Sequence, residues 1–257
     1  MKVVITGSEG VVGGVLRAGL AGEFQIKALT RERQAFASVV ADVRDFASLA
    51  REFAGAEAVI HLAAAADLQA PWEEILPANI EGTRQVFEAA CAAGVARVVF
   101  ASSGHVIGLA EERAGASLYS LADRRVFDEA TPPEPDSLYA VSKVYGEALG
   151  RFYAAARGLS VVCVRLGAVL PDDDPRSTAT GRGRSASMGL AERYPRLRAK
   201  WLSHRDCCQL FARCLRAGPL GFAIVYGTSN NPRQIWSLKN ARNLLGYDPQ
   251  DSAPATP

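Results

Sequence analysis

Along the first part of the chain, short continuous apolar runs alternate with stretches in which apolar residues recur at helical spacing. Lys2–Thr6 is an apolar run closed by turn residues and predicts a buried strand. Val11–Ala21 predicts a helix and Gln25–Thr30 a second strand. A helix-like stretch follows, then a short strand ending near Ala41-Asp42. Phe46–Phe53 predicts a helix, Ala58–Leu62 a strand, and Asn79–Ala93 a long amphipathic helix closed by Gly94. Arg97–Ser102 is the next strand. Beyond it, Leu138–Arg157 reads as a helix, Ser160–Leu166 as a strand, Trp201–Ala217 as a helix, Phe222–Tyr226 as a strand and Trp236–Leu245 as a last helix.

Two stretches break the alternation. Leu109–Ser137 is rich in charge and ends in Thr131-Pro132-Pro133-Glu134-Pro135, so it reads as a long excursion. Asp172–Ala199 is rich in Gly, Ser, Asp and Arg and predicts either a mobile substrate loop or a partly disordered segment. Asp251–Pro257 reads as a frayed tail. Strands that alternate with helices imply parallel βαβ units. The fold class is therefore α/β: a Rossmann-type doubly wound parallel sheet with a small C-terminal substrate-binding portion. We expect a single domain over residues 1–257, with a dinucleotide-binding part at about 1–170 and a substrate-binding part mainly at 171–250.

Composition narrows the function classes. Apolar residues make up 49% and charged residues 22% of 257, and the formal net charge is +2. Such a balance gives no reason to expect nucleic acid or a membrane as the partner. No apolar run is long enough to span a bilayer. The N-terminus runs straight into a strand and lacks a signal-peptide cleavage pattern, which predicts a cytoplasmic protein. Five cysteines form no CxxC pair, and no metal site is expected.

The first candidate chemistry lies between the first strand and the first helix. Thr6-Gly7-Ser8-Glu9-Gly10-Val11-Val12-Gly13 has the spacing GxxGxxG. Gly7 permits a tight turn, Gly10 lets the backbone approach a pyrophosphate, and Gly13 permits close helix–strand packing. The helix N-terminus offers free N–H groups to the phosphates. The end of the second strand reads the adenosine ribose, where an acid suits a 2′-hydroxyl and arginine suits a 2′-phosphate. Thr30-Arg31-Glu32-Arg33 stands there, so Arg31 and Arg33 favour NADP, while a shift of one residue would bring Glu32 to an NAD ribose. Asp42, followed by Val43, is placed to accept a hydrogen bond from the adenine amino group.

The second candidate chemistry is Tyr139-Ala140-Val141-Ser142-Lys143, which puts a phenol and an ammonium on one helix face. A neighbouring ammonium stabilises a phenolate, so such a tyrosine can exchange a proton with an alcohol. Ser103, just past a strand end, can hold the same substrate oxygen.

These pieces, with His61-Leu62-Ala63-Ala64, Asn79, Phe100-Ala101-Ser102-Ser103 and Arg165-Leu166-Gly167, resemble the extended short-chain dehydrogenase/reductase superfamily, also called the NAD-dependent epimerase/dehydratase family. The resemblance implies Ser103, Tyr139 and Lys143 as a catalytic triad, with Leu62, Ala63 and Ala64 lining the cofactor beside Gly7, Gly10, Val11, Val12 and Gly13. It implies that Asn79 lies behind the active site. It also implies a homodimer formed through two helices per subunit, here Asn79–Ala93 and Leu138–Arg157.

A closer resemblance is to the uronate dehydrogenases, which oxidise the anomeric carbon of a free hexuronic acid to a lactone. It runs through Pro71–Ile80, Ser102–Gly108, Pro135–Tyr139, Trp201-Leu202-Ser203, Val225-Tyr226-Gly227 and Leu245–Ser252. It implies a sugar or sugar acid as substrate, held by Asp67, Gly104, His105 and Arg196. Three positions on the substrate side depart from the family pattern. Asp67 and Ala168 stand where serines are usual, and Gly104 stands where an asparagine is usual.

Two other readings remain open. One is a nucleotide-sugar epimerase with a retained cofactor, whose diphosphate Arg176, Arg182, Arg184, Arg193 and Arg196 could bind. The other is a non-catalytic dinucleotide-binding redox sensor. His61 is expected at a strand end near the cofactor, and His204 at a helix start after Ser203 as N-cap.

Overall fold

The computed structural model describes residues 1–176 and 190–255, with only the backbone of 190–192. Strands β1 (Lys2–Thr6), β2 (Gln25–Thr30), β3 (Val39–Val40), β4 (Ala58–His61), β5 (Arg97–Ser103), β6 (Ser160–Leu166) and β7 (Phe222–Gly227) form one parallel sheet in the order β3-β2-β1-β4-β5-β6-β7. The order reverses between β1 and β4. In open α/β sheets that switch point, outside the carboxyl ends of the strands, is where ligands bind.

Both faces of the sheet are covered, so its strands are apolar on both sides. Val3 and Ile5 of β1 pack with Leu16 and Leu20 of α1 (Val11–Leu20) and with Leu210 and Phe211 of α8 (His204–Arg216). The alternate Val4, with Val98 and Phe100 of β5, faces α2 (Phe46–Phe53), α4 (Gly82–Ala92) and α6 (Leu138–Arg157). The helix ends follow sequence signals. Asp45, Ser137 and Ser203 each accept a backbone N–H at the start of α2, α6 and α8, and Gly158 closes α6 in the left-handed region.

Several expected elements differ. No helix forms between β2 and β3. Residues 31–38 are a loop, because only Ala35, Phe36 and Ala37 are apolar there and they supply no helical stripe. Phe36 is instead covered by the Arg17 guanidinium, 3.4 Å from the ring centroid. The helix expected at Asn79 is part of a longer run: α3 (Trp72–Ile75), a π turn over Leu76–Glu81, then α4. Pro77 has no N–H to donate, and the widened turn lets Gly82 N–H reach the Pro77 carbonyl. Within Leu109–Ser137, α5 (Gly108–Ala114) and a 3-10 turn (Ala116–Tyr119) stand where a plain excursion was expected.

The stretch Asp172–Ala199 is also not all loop. Its second part is α7 (Leu190–Lys200), which holds Pro195 internally, while 177–189 lie outside the described residues. Trp201 lies in a β-bridge to Ala168, so α8 starts only at His204. Trp236 likewise pairs with Phe127, and the last helix is α9 (Lys239–Leu245). The expected frayed tail is tied down as far as Ala255. Asp251 accepts the Ser203 hydroxyl at 2.6 Å, Ala253 N–H donates to Asn231 at 3.1 Å, and Tyr194 donates to the Pro254 carbonyl at 2.7 Å.

Candidate active site

Three loops meet beyond the carboxyl ends of β1, β4 and β5. The glycine turn comes first. Gly7 has φ +68°, and a Cβ there would lie 2.6 Å from the Ala63 backbone. A Cβ on Gly13 would lie 2.6 Å from Ser8 Cα. Both positions are therefore closed to any side chain. Gly10 differs: its nearest neighbour would be the Gly7 carbonyl at 3.6 Å, so its backbone face is open. Ser8 locks the turn to β2. Its N–H and its hydroxyl both donate to the Leu29 carbonyl, at 3.2 and 2.8 Å, and its own carbonyl accepts Arg17 Nε at 3.0 Å. A backbone concavity at the start of a helix fits a dinucleotide pyrophosphate. Val11 is exposed at the first helical position, and Val12 packs partly into the core.

The loop after β4 forms the next wall. Leu62 N–H donates to the Thr6 carbonyl at 3.1 Å, and Ala63 N–H reaches Thr6 Oγ1 at 3.4 Å. His61 is held between Thr6, at 2.8 Å, and Thr83, at 3.2 Å. Burial, helped by the Lys143 charge, pushes its pKa down to about 3, so the imidazole is neutral. Asn79 lies behind this loop. It accepts Ala65 N–H at 2.7 Å and donates to the Ala65 carbonyl at 3.1 Å and to the Ser142 hydroxyl at 2.9 Å. One amide thus joins the loop to α6. Ala64 lies between Ala63 and Ala65 on the same loop.

The third wall is the end of β5 with the start of α6. Tyr139 is hydrogen-bonded to Ser103, which lowers its pKa, but burial dominates and pushes the phenol up to about 12. The Lys143 ammonium is 5.5 Å from the Tyr139 ring centroid and 4.9 Å from that of Phe100. Burial pulls its pKa down to about 8. The expected three residues therefore converge, although Lys143 is not what sets the phenol's acidity in this form.

Other expected positions are engaged elsewhere. Asp42 is chelated by Arg44, with Nε and Nη2 contacts of 2.5–3.0 Å, and this pairing holds its pKa below the usual carboxylate range. Val43 packs on Gly82. Arg31 and Arg33 are exposed, and Arg31 lies 3.8 Å from Glu32. Asp67 caps its own turn by accepting Gln69 N–H at 2.9 Å. Gly104 lies under the Trp236 indole, which occupies the space a side chain would need. His105 pairs with Asp136 at 2.6 Å, and its N–H donates to Ser103 Oγ at 3.2 Å. Arg196 on α7 bonds to Tyr119, and its charge reaches Lys200. Of the other arginines considered for a diphosphate, Arg176 is chelated by Asp174, Arg193 is buried, and Arg182 and Arg184 lie outside the described residues.

The substrate side also contains residues that local patterns did not single out. Glu111 is 3% exposed and carries an ion pair to the equally buried Lys200, the Trp236 Nε1–H at 3.1 Å and the Tyr119 hydroxyl at 3.2 Å. Glu147, one turn beyond Lys143, receives Arg165 twice at 2.8 Å and Ser102 at 2.6 Å, and Arg165 also donates to Tyr226 at 2.9 Å. Glu147 has the helical spacing Tyr139–Lys143–Glu147, which could have flagged it. Nothing local signals Glu111, two of whose three partners, Lys200 and Trp236, come from distant segments.

A profile described as the NAD dependent epimerase/dehydratase family matches residues 3–184. The chain is 37% identical over 261 residues to an L-arabinose 1-dehydrogenase (NAD(P)(+)) of Haloferax volcanii, covering 98% of this chain and 97% of that protein. It is 36% identical over 262 residues to an NAD-dependent glucose-6-phosphate dehydrogenase of the same organism, covering 98% and 94%. A crystallised variant of uronate dehydrogenase from Agrobacterium tumefaciens, complexed with NAD, superposes with a TM-score of 0.80 at 29% identity, covering 98% of this chain and 85% of the other.

Proposed function

The chain belongs to the NAD dependent epimerase/dehydratase family, and we propose that it is a dehydrogenase that oxidises a hydroxyl of a sugar or sugar acid with NAD(P). The observation that carries this reading is the convergence of Ser103, Tyr139 and Lys143 beside the Gly7–Gly13 turn. The relatives are named for L-arabinose, glucose 6-phosphate and uronates. These share an anomeric hydroxyl, so the reacting carbon is the anomeric carbon of an aldose and the product is a lactone.

Each residue has a task that follows from where charge develops. Ser103 receives the His105 N–H and turns its own hydrogen toward the Tyr139 oxygen, where the substrate hydroxyl would enter. Tyr139 takes the hydroxyl proton as the carbon loses hydride. Lys143 supplies positive charge beside the ring and holds the cofactor ribose. A bound oxidised nicotinamide would supply the hydride acceptor, and its positive charge would favour the phenolate that burial alone disfavours. The Gly7–Gly13 turn and the Leu62–Ala64 loop hold the dinucleotide. His105, fixed by Asp136, contacts the sugar.

A homodimer fits this reading. Leu138, Val141 and Phe152 leave an exposed apolar stripe along α6, with Trp72 exposed on α3. No helix among the described residues is long and apolar enough to cross a membrane, and we place the reaction in the cytoplasm.

The test is turnover of a panel of aldoses, aldose phosphates and uronates with NAD and NADP. Tyr139→Phe should lower turnover by on the order of 10²–10⁴-fold. Its melting temperature and NADH affinity should stay as in the unaltered protein. Near-normal turnover by that variant would overturn the reading.

A further inference from the structure

Resting on the dinucleotide reading, we infer that Glu9, in the glycine turn, is the residue that reads the adenosine ribose, accepting the 2′-hydroxyl of NAD and rejecting the 2′-phosphate of NADP.

The position where a Rossmann sheet usually places this acid, at the end of its second strand, holds Arg31 here. The carboxylate comes from the opposite wall instead. Glu9 Oε1 accepts the backbone N–H of Arg31 at 3.3 Å. The backbone fixes where this side chain starts. Ser8 is fully buried and clamped to the last turn of β2 by two bonds to the Leu29 carbonyl, and Arg17 holds its carbonyl from the other side. The residue after Ser8 must therefore emerge at the carboxyl end of β2. Glu9 does so, exposed, between the pyrophosphate turn and the ribose-reading strand end.

The cations nearby do not reverse this. Arg17 is spent on the Phe36 ring and the Ser8 carbonyl, and Arg44 on Asp42. The Arg31 guanidinium lies in solvent, 3.8 Å from Glu32. A 2′-phosphate reaching the Arg31 N–H would meet the Glu9 carboxylate, and like charges at that range repel. A neutral 2′-hydroxyl meets an acceptor. On this assignment the site favours NAD, against the preference expected from Arg31 and Arg33.

The experiment titrates NADH and NADPH, by dinucleotide fluorescence, into the unaltered protein and into Glu9→Gln, Glu9→Ala and Glu32→Gln. The unaltered protein should bind NADH at least tenfold more tightly than NADPH. Both Glu9 variants should shift that ratio toward NADPH by tenfold or more, with melting temperatures unchanged because Glu9 is exposed. Glu32→Gln should leave the ratio in place. Tighter NADPH binding by the unaltered protein, or an unchanged ratio in Glu9→Gln, would overturn the assignment to Glu9 alone. Binding of neither dinucleotide by the unaltered protein would overturn the dinucleotide site and this assignment with it.

Discussion

Around the glycine turn, contacts are made almost entirely by backbone atoms and small residues: Gly7 on Ala63, Gly13 on Ser8, and Ser8 on the Leu29 carbonyl. Around Ser103 the opposite holds. Gly104 lies under Trp236, Trp236 donates to Glu111, Glu111 pairs with Lys200, and His105 pairs with Asp136. The first wall is fixed by sterics that tolerate no added atom. The second is fixed by buried charges that tolerate no missing partner. A wall of backbone suits a ligand part that is always the same, such as a pyrophosphate. A wall of paired side chains can be rebuilt only pair by pair.

That contrast predicts different failures. The largest is expected on the substrate wall. Lys200→Met leaves Glu111 buried without its cation and should cost about 3–5 kcal/mol of stability in urea unfolding. The double change Lys200→Met with Glu111→Leu should be no worse than either single change, because the desolvation penalty of both charges disappears together. Single changes costing under about 1 kcal/mol would mean that this wall is not held by its charges.

On the nucleotide wall, Gly13→Ala should cost about 1–3 kcal/mol, since the new methyl meets backbone that cannot move aside. The shifted turn should also lower NADH affinity by roughly tenfold or more, equivalent to about 1.4 kcal/mol. Unchanged affinity would show that the turn has slack.

A pH-dependent effect is expected where the walls meet. Lys143 is held at a pKa of about 8 against an ordinary 10.5, so the unfolded chain binds more protons between those values. Stability contributed through this group therefore rises with pH across that window. Measured as a difference, the unaltered protein should gain on Lys143→Met from about pH 8 to about pH 10.5, followed by thermal melting at each pH. A flat difference would mean that Lys143 is better solvated than its burial implies.

Much of this was legible beforehand. The ends of α6 follow from Ser137 and Gly158, those of β6 from an apolar run, and the glycine turn from its spacing. Ser103, Tyr139 and Lys143 were found from one strand end and one helix face. The misread pieces share one cause. Asp172–Ala199 reads as a loop from its Gly, Ser, Asp and Arg content, yet α7 forms in its second part, through Pro195, with Tyr194 bonded to the Pro254 carbonyl and Ala199 and Lys200 buried. The tail after Asp251 has no local pattern and is ordered by partners such as Ser203 and Asn231. Tertiary contacts overrode a weak local preference in both places.

By itself, then, the sequence determined the parallel sheet, the dinucleotide turn and the positions of the three polar groups at its edge. Each depends on neighbours a few residues apart, through strand and helix periodicity or glycine spacing. Only the tertiary structure decided which acid meets the end of β2, why the residue after Ser103 is glycine, and which charges are paired. Glu9 and Arg31 are twenty-two residues apart, Glu111 and Trp236 one hundred and twenty-five, and no local pattern reports a contact made across the sheet's carboxyl edge.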